Sequence, residues 1–515
     1  MVARLVSAKA LMLLGTGSHV GKSLLTMAFC RILKQDGYRV APFKAQNMSL
    51  NSAATPDGGE IGRAQALQAE AAGVAPSVDM NPILLKPTSD RRSQVIVRGR
   101  IWADIDAREY HVRRTQELFD VARGSYARLA AGYDYIVLEG AGSPAEINLR
   151  SCDIVNMRMA HAADARCLLA GDIDRGGIFA SLYGTVALLD EADRARIAGL
   201  IVNKFRGDPA LFVPALPMLE ERVGKPCFGV VPYLPDIGLE EEDGLGLDEV
   251  RIASTPPWRG PGNGARRVRI AVIAWPGLSN YTDFDALAGE PSVDLAYVDA
   301  PAALAGADLA IVPGTKSTLA AIAWLRERGF ARALASLAVP YVFGICGGMQ
   351  ALGNRVDDPF GVEGGGAADG LGLLPLSTTL ARDKVAERAS GALSAPQLYG
   401  AALACERVSG YEIHVGETLY EADAPRFARI ERASDGRMVD DGAISGDGRI
   451  AGTYLHGVFA ADDFRHAFVA TLREARGLLP APAFAPVEAE RAARLDRVAA
   501  HVRAALDVPR CLGRA

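Results

Sequence analysis

The stretch LMLLGTGSHVGKS, residues 11–23, decides the fold of the first half of the chain. Its apolar residues predict a buried strand, its glycines a loop, and Gly21-Lys22-Ser23 the start of a helix. Backbone N–H groups in such a loop, together with the N-terminus of the helix, cradle phosphate oxygens. The stretch therefore predicts a nucleotide site in which Lys22 reaches the β- and γ-phosphates and Ser23 ligates Mg²⁺. The residues of the loop itself are Gly15, Thr16, Gly17, Val20 and Gly21.

One departure from the strict phosphate-loop pattern leaves an alternative open. The pattern G-x-x-x-x-G-K-[ST] begins with a glycine where this chain has Thr16, flanked by Gly15 and Gly17. A plain glycine loop before an amphipathic helix, with Lys22 merely exposed, is the competing interpretation. The order of strand, loop and Gly-Lys-Ser favours nucleotide binding.

Short apolar runs alternate with helical patterns through the rest of the first half, which is typical of βαβ units and a parallel sheet. The predicted strands are residues 10–14, 135–139, 166–171, 199–204 and 227–232. The predicted helices are residues 22–35, 60–72, 106–131 and 209–223. We therefore expect an N-terminal α/β domain.

Polar side chains follow these strands at their carboxyl ends, where open parallel sheets bind ligands. Glu139 ends the run YIVLE before a Gly-Ala-Gly turn, so we predict a second Mg²⁺ contact there. A helix-capping or salt-bridged glutamate is the alternative. Asp57 or Glu60 is a further metal candidate. The sequence does not separate roles in binding metal, phosphate or a substrate carboxylate for Asp172, Asp174 and Arg175.

A linker is predicted at residues 255–267, TPPWRGPGNGARR, because Pro, Gly and Arg dominate it and little can be buried. The chain is therefore predicted to hold one domain in residues 1–254 and a second in residues 268–475. Residues 476–515 are rich in Ala, Arg and Glu, so a solvated C-terminal helical tail is expected. The second domain is also predicted to be α/β, from apolar runs at 268–275, 308–314 and 341–346.

GICGG, residues 344–348, places Cys346 between an apolar strand and a helical pattern. G-x-C-x-G is the thiol form of the nucleophile elbow, a tight strand-to-helix turn that exposes its side chain. His456 in GTYLHGVF is the candidate base, and the N–H groups of Gly314 and Gly347 are candidates for an oxyanion hole. A lone buried cysteine is the alternative. It does not explain why strand, elbow, glycine turn and histidine occur in this order.

Both segments resemble known families. Residues 15–23 resemble the loop of dethiobiotin synthetase, whose relatives use ATP to phosphorylate a carboxylate. Those relatives read the adenine edge with an Asn at a strand end, a place that Asn203 takes here, and a plain turn residue is the equal alternative for Asn203. Cys346 and His456 are arranged as in a class I glutamine amidotransferase domain. The resemblance implies that the cysteine attacks the glutamine amide, releases ammonia and leaves a thioester that water hydrolyses.

The resemblance to class I amidotransferases is incomplete at one position. Most of them carry His-x-Glu, in which the glutamate orients the imidazole, but here Gly457 and Val458 follow His456. The amidotransferases of cobalamin synthesis also lack this glutamate. Glu412 or His414 in GYEIHVG is a candidate replacement. A β-strand whose residues alternate between two faces explains that segment equally well.

Two related families combine such domains, the cobyrinic acid a,c-diamide synthases and the cobyric acid synthases. The chain resembles the second in FKAQNMSLNS (43–52), NPILLKP (81–87), GDIDRGGIFAS (171–181) and SNYTDFDAL (279–287). This resemblance implies amidation of four carboxylates of adenosylcobyrinic acid a,c-diamide, with ATP, Mg²⁺ and L-glutamine. A solvated face is the alternative for the amide-rich segment, whose expected corrinoid contacts are Lys44, Gln46, Asn47, Asn51, Arg63 and Lys86.

The composition of the chain indicates which cellular compartment and which classes of partner to expect. A net charge of −5 gives no reason to expect nucleic acid. The seven cysteines contain no C-x-x-C pair, so a reducing cytoplasm is the expected compartment. No apolar stretch is long enough for a membrane span, and the oligomeric state is not predicted. A phosphate-loop switch ATPase with a degraded second domain is the rival from another functional class.

Overall fold

The chain divides into two compact units. The computed structural model describes residues 8–87, 92–106, 115–235, 237–239, 252–258, 266–336, 338–481 and 483–514. The first unit holds residues 1–49, 61–242 and 491–515, and the second holds residues 50–60 and 243–490. The predicted domain limits differ at two places, the segment 50–60 and the C-terminal helix. Residues 259–265 of the predicted linker lie outside the described residues.

A six-stranded parallel sheet forms the centre of the first unit. In its strand Lys9–Gly15, Met12 and Leu14 pack in one apolar cluster while Leu11 and Leu13 pack in another. Burial on both faces is expected for a parallel sheet covered by helices on each side. The predicted parallel α/β domain is confirmed. Across the sheet the order is Cys227–Pro232, Ile197–Phe205, Arg166–Asp172, Lys9–Gly15, Tyr135–Glu139 and Val40–Phe43.

The helices of the first unit match the predictions to different degrees. Lys22–Gln35 is confirmed in full, whereas Arg63–Ala72 begins three residues later than predicted, after a short strand. Only Thr115–Gly132 of the predicted 106–131 is a described helix. The predicted helix 209–223 is instead two 3₁₀ turns followed by the helix Leu216–Val223, and each of the three segments has a proline in its first turn, where proline is tolerated. The other helices are Met157–Ala162, Ile178–Leu188, Glu191–Arg196 and Val508–Cys511.

The first unit also contains a small four-stranded sheet. Its first pair of strands is parallel and the other two pairs are antiparallel. The order of its strands is Gln46–Met48, Ile83–Pro87, Arg92–Val97 and Arg100–Asp106.

The C-terminal helix Val487–Ala505 is not a solvated tail, contrary to the prediction. Leu495, Val498, Ala499 and Val502 are buried in one apolar cluster of the first unit. Their spacing of three, one and three residues places them on one helical face. The high content of Ala, Arg and Glu concealed this narrow apolar stripe in the sequence.

The second unit also has a six-stranded central sheet, parallel except for its last pair. The predicted strands 268–275, 308–314 and 341–346 are confirmed with slightly shorter limits. The strand order is Val293–Val298, Val268–Ile273, Leu309–Val312, Tyr341–Ile345, Ile450–Thr453 and Ala443–Ile444. The α-helices are Asp285–Ala288, Thr318–Glu327, Phe330–Ala335, Gly347–Leu352 and Asp462–Ala475.

A long antiparallel ladder that the sequence analysis did not predict forms the second layer of this unit. Strands Leu376–Leu393 and Arg407–Tyr420 pair along most of their lengths. The second of them also pairs with Leu455–His456. The rest of this sheet is Arg355–Asp358, Gly366–Asp369, Ala428–Arg432 and Met438–Asp441.

Among the helices of the described residues, none combines the length and apolar character needed to cross a membrane.

Candidate active sites

The phosphate loop lies between the strand Lys9–Gly15 and the helix Lys22–Gln35, as predicted. Lys22 is buried, and its Nζ donates hydrogen bonds to the carbonyl oxygens of Gly17 (2.7 Å) and Gly142 (3.1 Å). The amine therefore points back across the loop. The competing interpretation, in which Lys22 is merely exposed, does not agree with this burial. The backbone N–H of Thr16 donates to the carbonyl of Ala170, on the neighbouring strand, at 3.0 Å.

Two glycines of this loop are sterically required. A Cβ on Gly15 would lie 2.6 Å from Cγ2 of Val20, and a Cβ on Gly21 would lie 2.3 Å from Nδ2 of Asn203. Gly21 also has φ of +94°, in the left-handed region that favours glycine. The glycine that the chain lacks at position 16 is thus replaced by its neighbour Gly15.

Asn203 lies beside this loop, at the end of the strand Ile197–Phe205. Its Nδ2 donates to the carbonyl of Val20 at 2.8 Å, and the next residue, Lys204, donates from Nζ to the carbonyl of His19 at 2.6 Å. Lys204 also pairs with Asp172 at 3.2 Å. The two side chains brace the loop from outside, and adenine recognition by Asn203 stays a prediction.

Glu139 is the buried centre of a charged cluster beside the loop. Its Oε1 accepts hydrogen bonds from Ser23 Oγ (2.8 Å) and Lys44 Nζ (2.9 Å), and its Oε2 accepts one from Gln68 Nε2 (2.6 Å). The carboxylate and the Ser23 hydroxyl are hard oxygen ligands of the kind that Mg²⁺ takes together with phosphate and water. The described residues contain no group of three or more His, Cys, Asp or Glu able to hold a metal by themselves.

Asp57, the other metal candidate, is exposed in the turn between two short strands, and it belongs to the second unit with Glu60. Glu60 is fully buried in an ion pair with Lys384. Asp172 accepts a hydrogen bond from the backbone of Asp174, and Asp174 pairs with Arg206 at 2.6 Å. A metal role for Asp57 stays a prediction.

The predicted corrinoid contacts are more buried than a solvated face would be. Lys44, Asn47 and Lys86 are buried in the first unit, where Gln46 and Arg63 are half-buried. Asn47 donates to the side chain of Gln65 at 3.0 Å, and Gln65 Nε2 is buried without a hydrogen-bond partner among the described residues. Asn51, the remaining candidate, is buried in the second unit.

Cys346 lies on a strained turn between the strand Tyr341–Ile345 and the helix Gly347–Leu352. Its φ of +51° and ψ of −115° are rare for a residue with a side chain, and strain of this kind clusters at functional sites. A Cβ on Gly348 would lie 1.9 Å from the carbonyl oxygen of Val312, so the turn needs glycine there. The Cys346 Sγ lies 3.5 Å from the carbonyl oxygen of Ile413.

His456 is held between Cys346 and an aspartate that the sequence analysis did not single out. Its Nδ1 lies 2.6 Å from Oδ2 of Asp283, whose Oδ1 accepts the N–H of Gly457 at 2.9 Å. Burial by itself would lower the pKa of His456, but the charges of Asp283 and Cys346 and the hydrogen bonds to both raise it to about 10. The structure thus brings together a thiol, an imidazole and a carboxylate, the groups that a nucleophile, its base and the residue that orients the base would require.

The two suggested replacements for the missing glutamate form a different cluster. Glu412 pairs with Arg432 at 2.7 Å and with His414 at 3.2 Å. Burial would raise the pKa of Glu412, but the hydrogen bonds and charges of His414 and Arg432 lower it to about 2. The segment is the predicted strand, and alternation places Tyr411, stacked on His456, and Glu412 on opposite faces.

The candidate oxyanion glycines lie close to this triad. A Cβ on Gly314 would lie 2.9 Å from Cε1 of His456, and a Cβ on Gly347 would lie 2.6 Å from Cγ2 of Thr315. The elbow is therefore adjacent to the turn at 314–315. The Gly314 carbonyl accepts the N–H of Ser279, so the segment that carries Asp283 is fastened to the same turn.

Comparisons with known proteins identify a domain family for each half of the chain. Residues 11–247 match the model of the CobQ/CobB/MinD/ParA nucleotide binding domain, and residues 269–464 match the CobB/CobQ-like glutamine amidotransferase domain. The cobyric acid synthase of Moorella thermoacetica is 48% identical over 509 residues, covering 98% of this chain and 96% of that protein. The one from Chloroflexus aurantiacus is 49% identical, covering 97% and 98%, and the one from Klebsiella pneumoniae is 49% identical, covering 96% of each.

Each half of the chain matches one of the two domain models, and the match to the relatives extends over nearly the whole length of both sequences. A likeness of one domain alone would leave the joint activity open. The chain belongs to the cobyric acid synthase family, whose members are glutamine-using, ATP-dependent amidating ligases.

Proposed function

We propose that this enzyme amidates four peripheral carboxylates of adenosylcobyrinic acid a,c-diamide, giving adenosylcobyric acid in cobalamin biosynthesis. The observation that carries the proposal is the alignment of Cys346, His456 and Asp283 in a chain that also has a phosphate loop beside Glu139. A thiol site that releases ammonia has a use only where a second site activates an acceptor. The names of the relatives supply the substrate class.

The glutaminase half-reaction begins with the Cys346 thiolate, which attacks the side-chain amide carbon of glutamine. The N–H groups of Gly314 and Gly347 stabilise the resulting oxyanion. Protonated His456 donates its proton to the departing ammonia, while Asp283 holds the ring in place. Water then adds to the thioester with neutral His456 as the base, which releases glutamate and restores the thiolate.

The synthetase half-reaction makes a carboxylate reactive. A carboxylate oxygen of the corrinoid attacks the γ-phosphate of ATP, and the product is an acyl phosphate whose phosphate leaves readily toward ammonia. Lys22 and the amides of the loop neutralise the charge that develops during phosphoryl transfer. Ser23 and Glu139 are the residues that would hold Mg²⁺, which supplies charge neutralisation at the β- and γ-phosphates. Asn203 is the residue assigned to adenine.

The corrinoid is held in this proposal by the buried amides and lysines near Glu139. Lys44 bonds directly to Glu139, and Asn47 with Gln65 forms a network that keeps an unsatisfied amide donor. A buried unpaired donor is costly unless a ligand satisfies it. Gln46, Arg63 and Lys86 extend this set of polar groups within the first unit, and the corrinoid's carboxylates and amides are acceptors of the matching kind.

Product counting tests the proposal against its nearest rival. The purified enzyme is incubated with ATP, Mg²⁺ and glutamine and with either cobyrinic acid or its a,c-diamide, and the new amides are counted by mass spectrometry. Four amides added to the a,c-diamide support the proposal. Two amides added to the unamidated acid, with none added to the a,c-diamide, would assign the chain to the a,c-diamide synthase reaction. Nucleotide hydrolysis without any amide product would favour a switch ATPase.

A further inference from the structure

A hairpin from the N-terminal part of the sequence belongs to the glutaminase unit. Residues 50–60 lie in the second unit, although residues 1–49 and 61–242 form the first. Strand Ser52–Thr55 pairs with Gly59–Gly62, and the side chains of Ser52, Thr55 and Glu60 are all buried. The hydroxyl of Thr55 accepts the N–H of Gly59 at 3.0 Å, which closes the turn.

The hairpin packs against the strands Leu376–Leu393 and Arg407–Tyr420, and the second of these contacts both the glutaminase nucleophile and the base. Ala54 forms a buried cluster with Ala386, Tyr411 and Ile413. The ring of Tyr411 stacks on His456 with 5.5 Å between ring centres, and the Ile413 carbonyl lies 3.5 Å from the Cys346 Sγ. At the far end, Glu60 is paired with Lys384 on the neighbouring strand. Ala54 therefore lies one layer behind the reacting groups.

A hydrogen bond joins the hairpin to the segment that carries Asp283. The N–H of Ser52 donates to Oδ1 of Asn280 at 3.1 Å. Asn280 is buried and left-handed, with φ of +53°, and its carbonyl accepts the N–H of Asp283 at 3.0 Å. The preceding residue, Ser279, donates its N–H to the carbonyl of Gly314, the candidate oxyanion turn. The side chain of Asn280 thus fixes a short segment with contacts to both the base and the oxyanion turn.

We propose that the hairpin Leu50–Glu60 is a positioning element of the glutaminase site and that the Ser52–Asn280 hydrogen bond sets the position of Asp283 against His456. This deepens the proposed function, because it assigns to the N-terminal sequence a part in releasing ammonia. In this proposal both residues act through Asp283, which contacts the ring of His456. The contacts to Tyr411 and Ile413 hold the other side of the site in register.

The test removes either end of this hydrogen bond. Ser52→Pro removes the N–H donor at the first residue of a strand, where proline is tolerated, and Asn280→Ala removes the acceptor. Each is expected to lower the glutamine-dependent amidation rate by about 3- to 10-fold, the effect of one neutral hydrogen bond. The rate with ammonium salts should not change. Ser254→Ala, which removes an exposed hydrogen bond to Asp299, is the control and should leave both rates unchanged.

Two further readouts separate positioning from a general loss of structure. The double variant should be no slower than the slower single variant, because both changes remove the same interaction. The pH profile of iodoacetamide alkylation of Cys346, followed on its own peptide by mass spectrometry, should differ from that of the unmodified enzyme in both variants and be unchanged in Ser254→Ala. The proposal is wrong if glutamine-dependent rates stay at the wild-type level, if the ammonium-dependent rates fall equally, or if the two effects multiply. Failure of the unmodified enzyme to amidate with ammonium would count against the proposed function instead, and the alkylation profile would still test the hairpin.

Discussion

Replacing Asp283 by asparagine tests the catalytic triad most sharply, because the substitution keeps the shape and removes the charge beside His456. The pKa of His456 is about 10 with Asp283 and Cys346 as neighbours. Bringing this pKa back to about 6.5, the ordinary histidine value, corresponds to about 5 kcal/mol. Asp283 and Cys346 both contribute to this raised pKa, and a hydrogen bond between charged groups, such as that between Asp283 and the His456 ring, contributes about 2–3 kcal/mol.

The expected loss of glutaminase rate follows from that energy. If the imidazolium form of His456 is destabilised by about 2–3 kcal/mol in the transition state for ammonia release, kcat falls by about 30- to 150-fold. A raised pKa means that the stabilised imidazolium persists up to about pH 10 in the unmodified enzyme and is lost as the pH rises through that value. In Asp283→Asn, burial is no longer opposed by the carboxylate, so the imidazolium is lost at lower pH.

The assay measures glutamate release from glutamine between about pH 6 and pH 10, a range that runs from near the ordinary histidine pKa to the raised pKa of His456. Ammonium-dependent amidation shows whether the synthetase site is intact. Asp285→Asn is the matched control, since it removes a carboxylate two residues away that is exposed. We expect Asp283→Asn to lose glutaminase activity and Asp285→Asn to keep it. Equal rates for the two variants, or a rate for Asp283→Asn within about threefold of the unmodified enzyme, would refute the role of Asp283.

Three further predictions address the synthetase site, the elbow and the terminal helix. Glu139→Gln removes the charge that Ser23, Lys44 and Gln68 surround, so amidation should fall by about 100-fold or more with glutamine and with ammonium alike. The exposed Glu146→Gln is its control, and a normal ammonium-dependent rate for Glu139→Gln would contradict the assignment. Gly348→Ala places a Cβ 1.9 Å from a backbone oxygen and should lower the melting temperature or abolish glutaminase activity, whereas Gly446→Ala, in open space, should do neither. Leu495→Ala should lower the free energy of unfolding by about 2–5 kcal/mol, and an unchanged value would mean that the terminal helix is solvated after all.

Local features were readable from the sequence, whereas partners distant in the chain were not. The phosphate loop and the cysteine elbow are encoded in fewer than about fifteen consecutive residues each, because turn geometry and glycine requirements are local. Asp283 contacts His456 across 173 residues, so no spacing rule connects them. The segment SNYTDFDAL is distinguished in the sequence only by its resemblance to the family. Nothing in it indicates which of its two aspartates contacts an imidazole.

Glu412 is the opposite case. Its residue type suggested that it could orient His456, but the fold places its side chain against Arg432. A glutamate and a histidine two residues apart on a strand share one face, and here that face packs against Arg432 and Tyr454. The face that reaches His456 carries Tyr411 instead. Which face of a strand meets a catalytic histidine depends on sheet pairing, here that of residues 411 and 456, and not on the local sequence.

The hairpin at residues 50–60 and the helix Val487–Ala505 have the same physical explanation. Each is placed by apolar contacts with segments far away in the chain, Ala54 with Tyr411 and Ile413 in one case and Leu495 with the core of the first unit in the other. Local propensity carries no information on such packing. Contiguous domain limits drawn on the sequence therefore place residues 50–60 in the first domain and the terminal helix in a solvated tail, whereas the structure places them in the second and the first unit.

The central claim is that one chain releases ammonia at Cys346 and consumes it at a carboxylate activated beside Lys22. Its most direct measurement follows nitrogen from amide-¹⁵N glutamine, or from ¹⁵N ammonium, into the corrinoid by mass spectrometry for the unmodified enzyme, Cys346→Ser and Lys22→Ala. The account predicts label from both sources in the unmodified enzyme, label from ammonium alone in Cys346→Ser, and no label in Lys22→Ala. Incorporation from glutamine by Cys346→Ser, or from either source by Lys22→Ala, would contradict it.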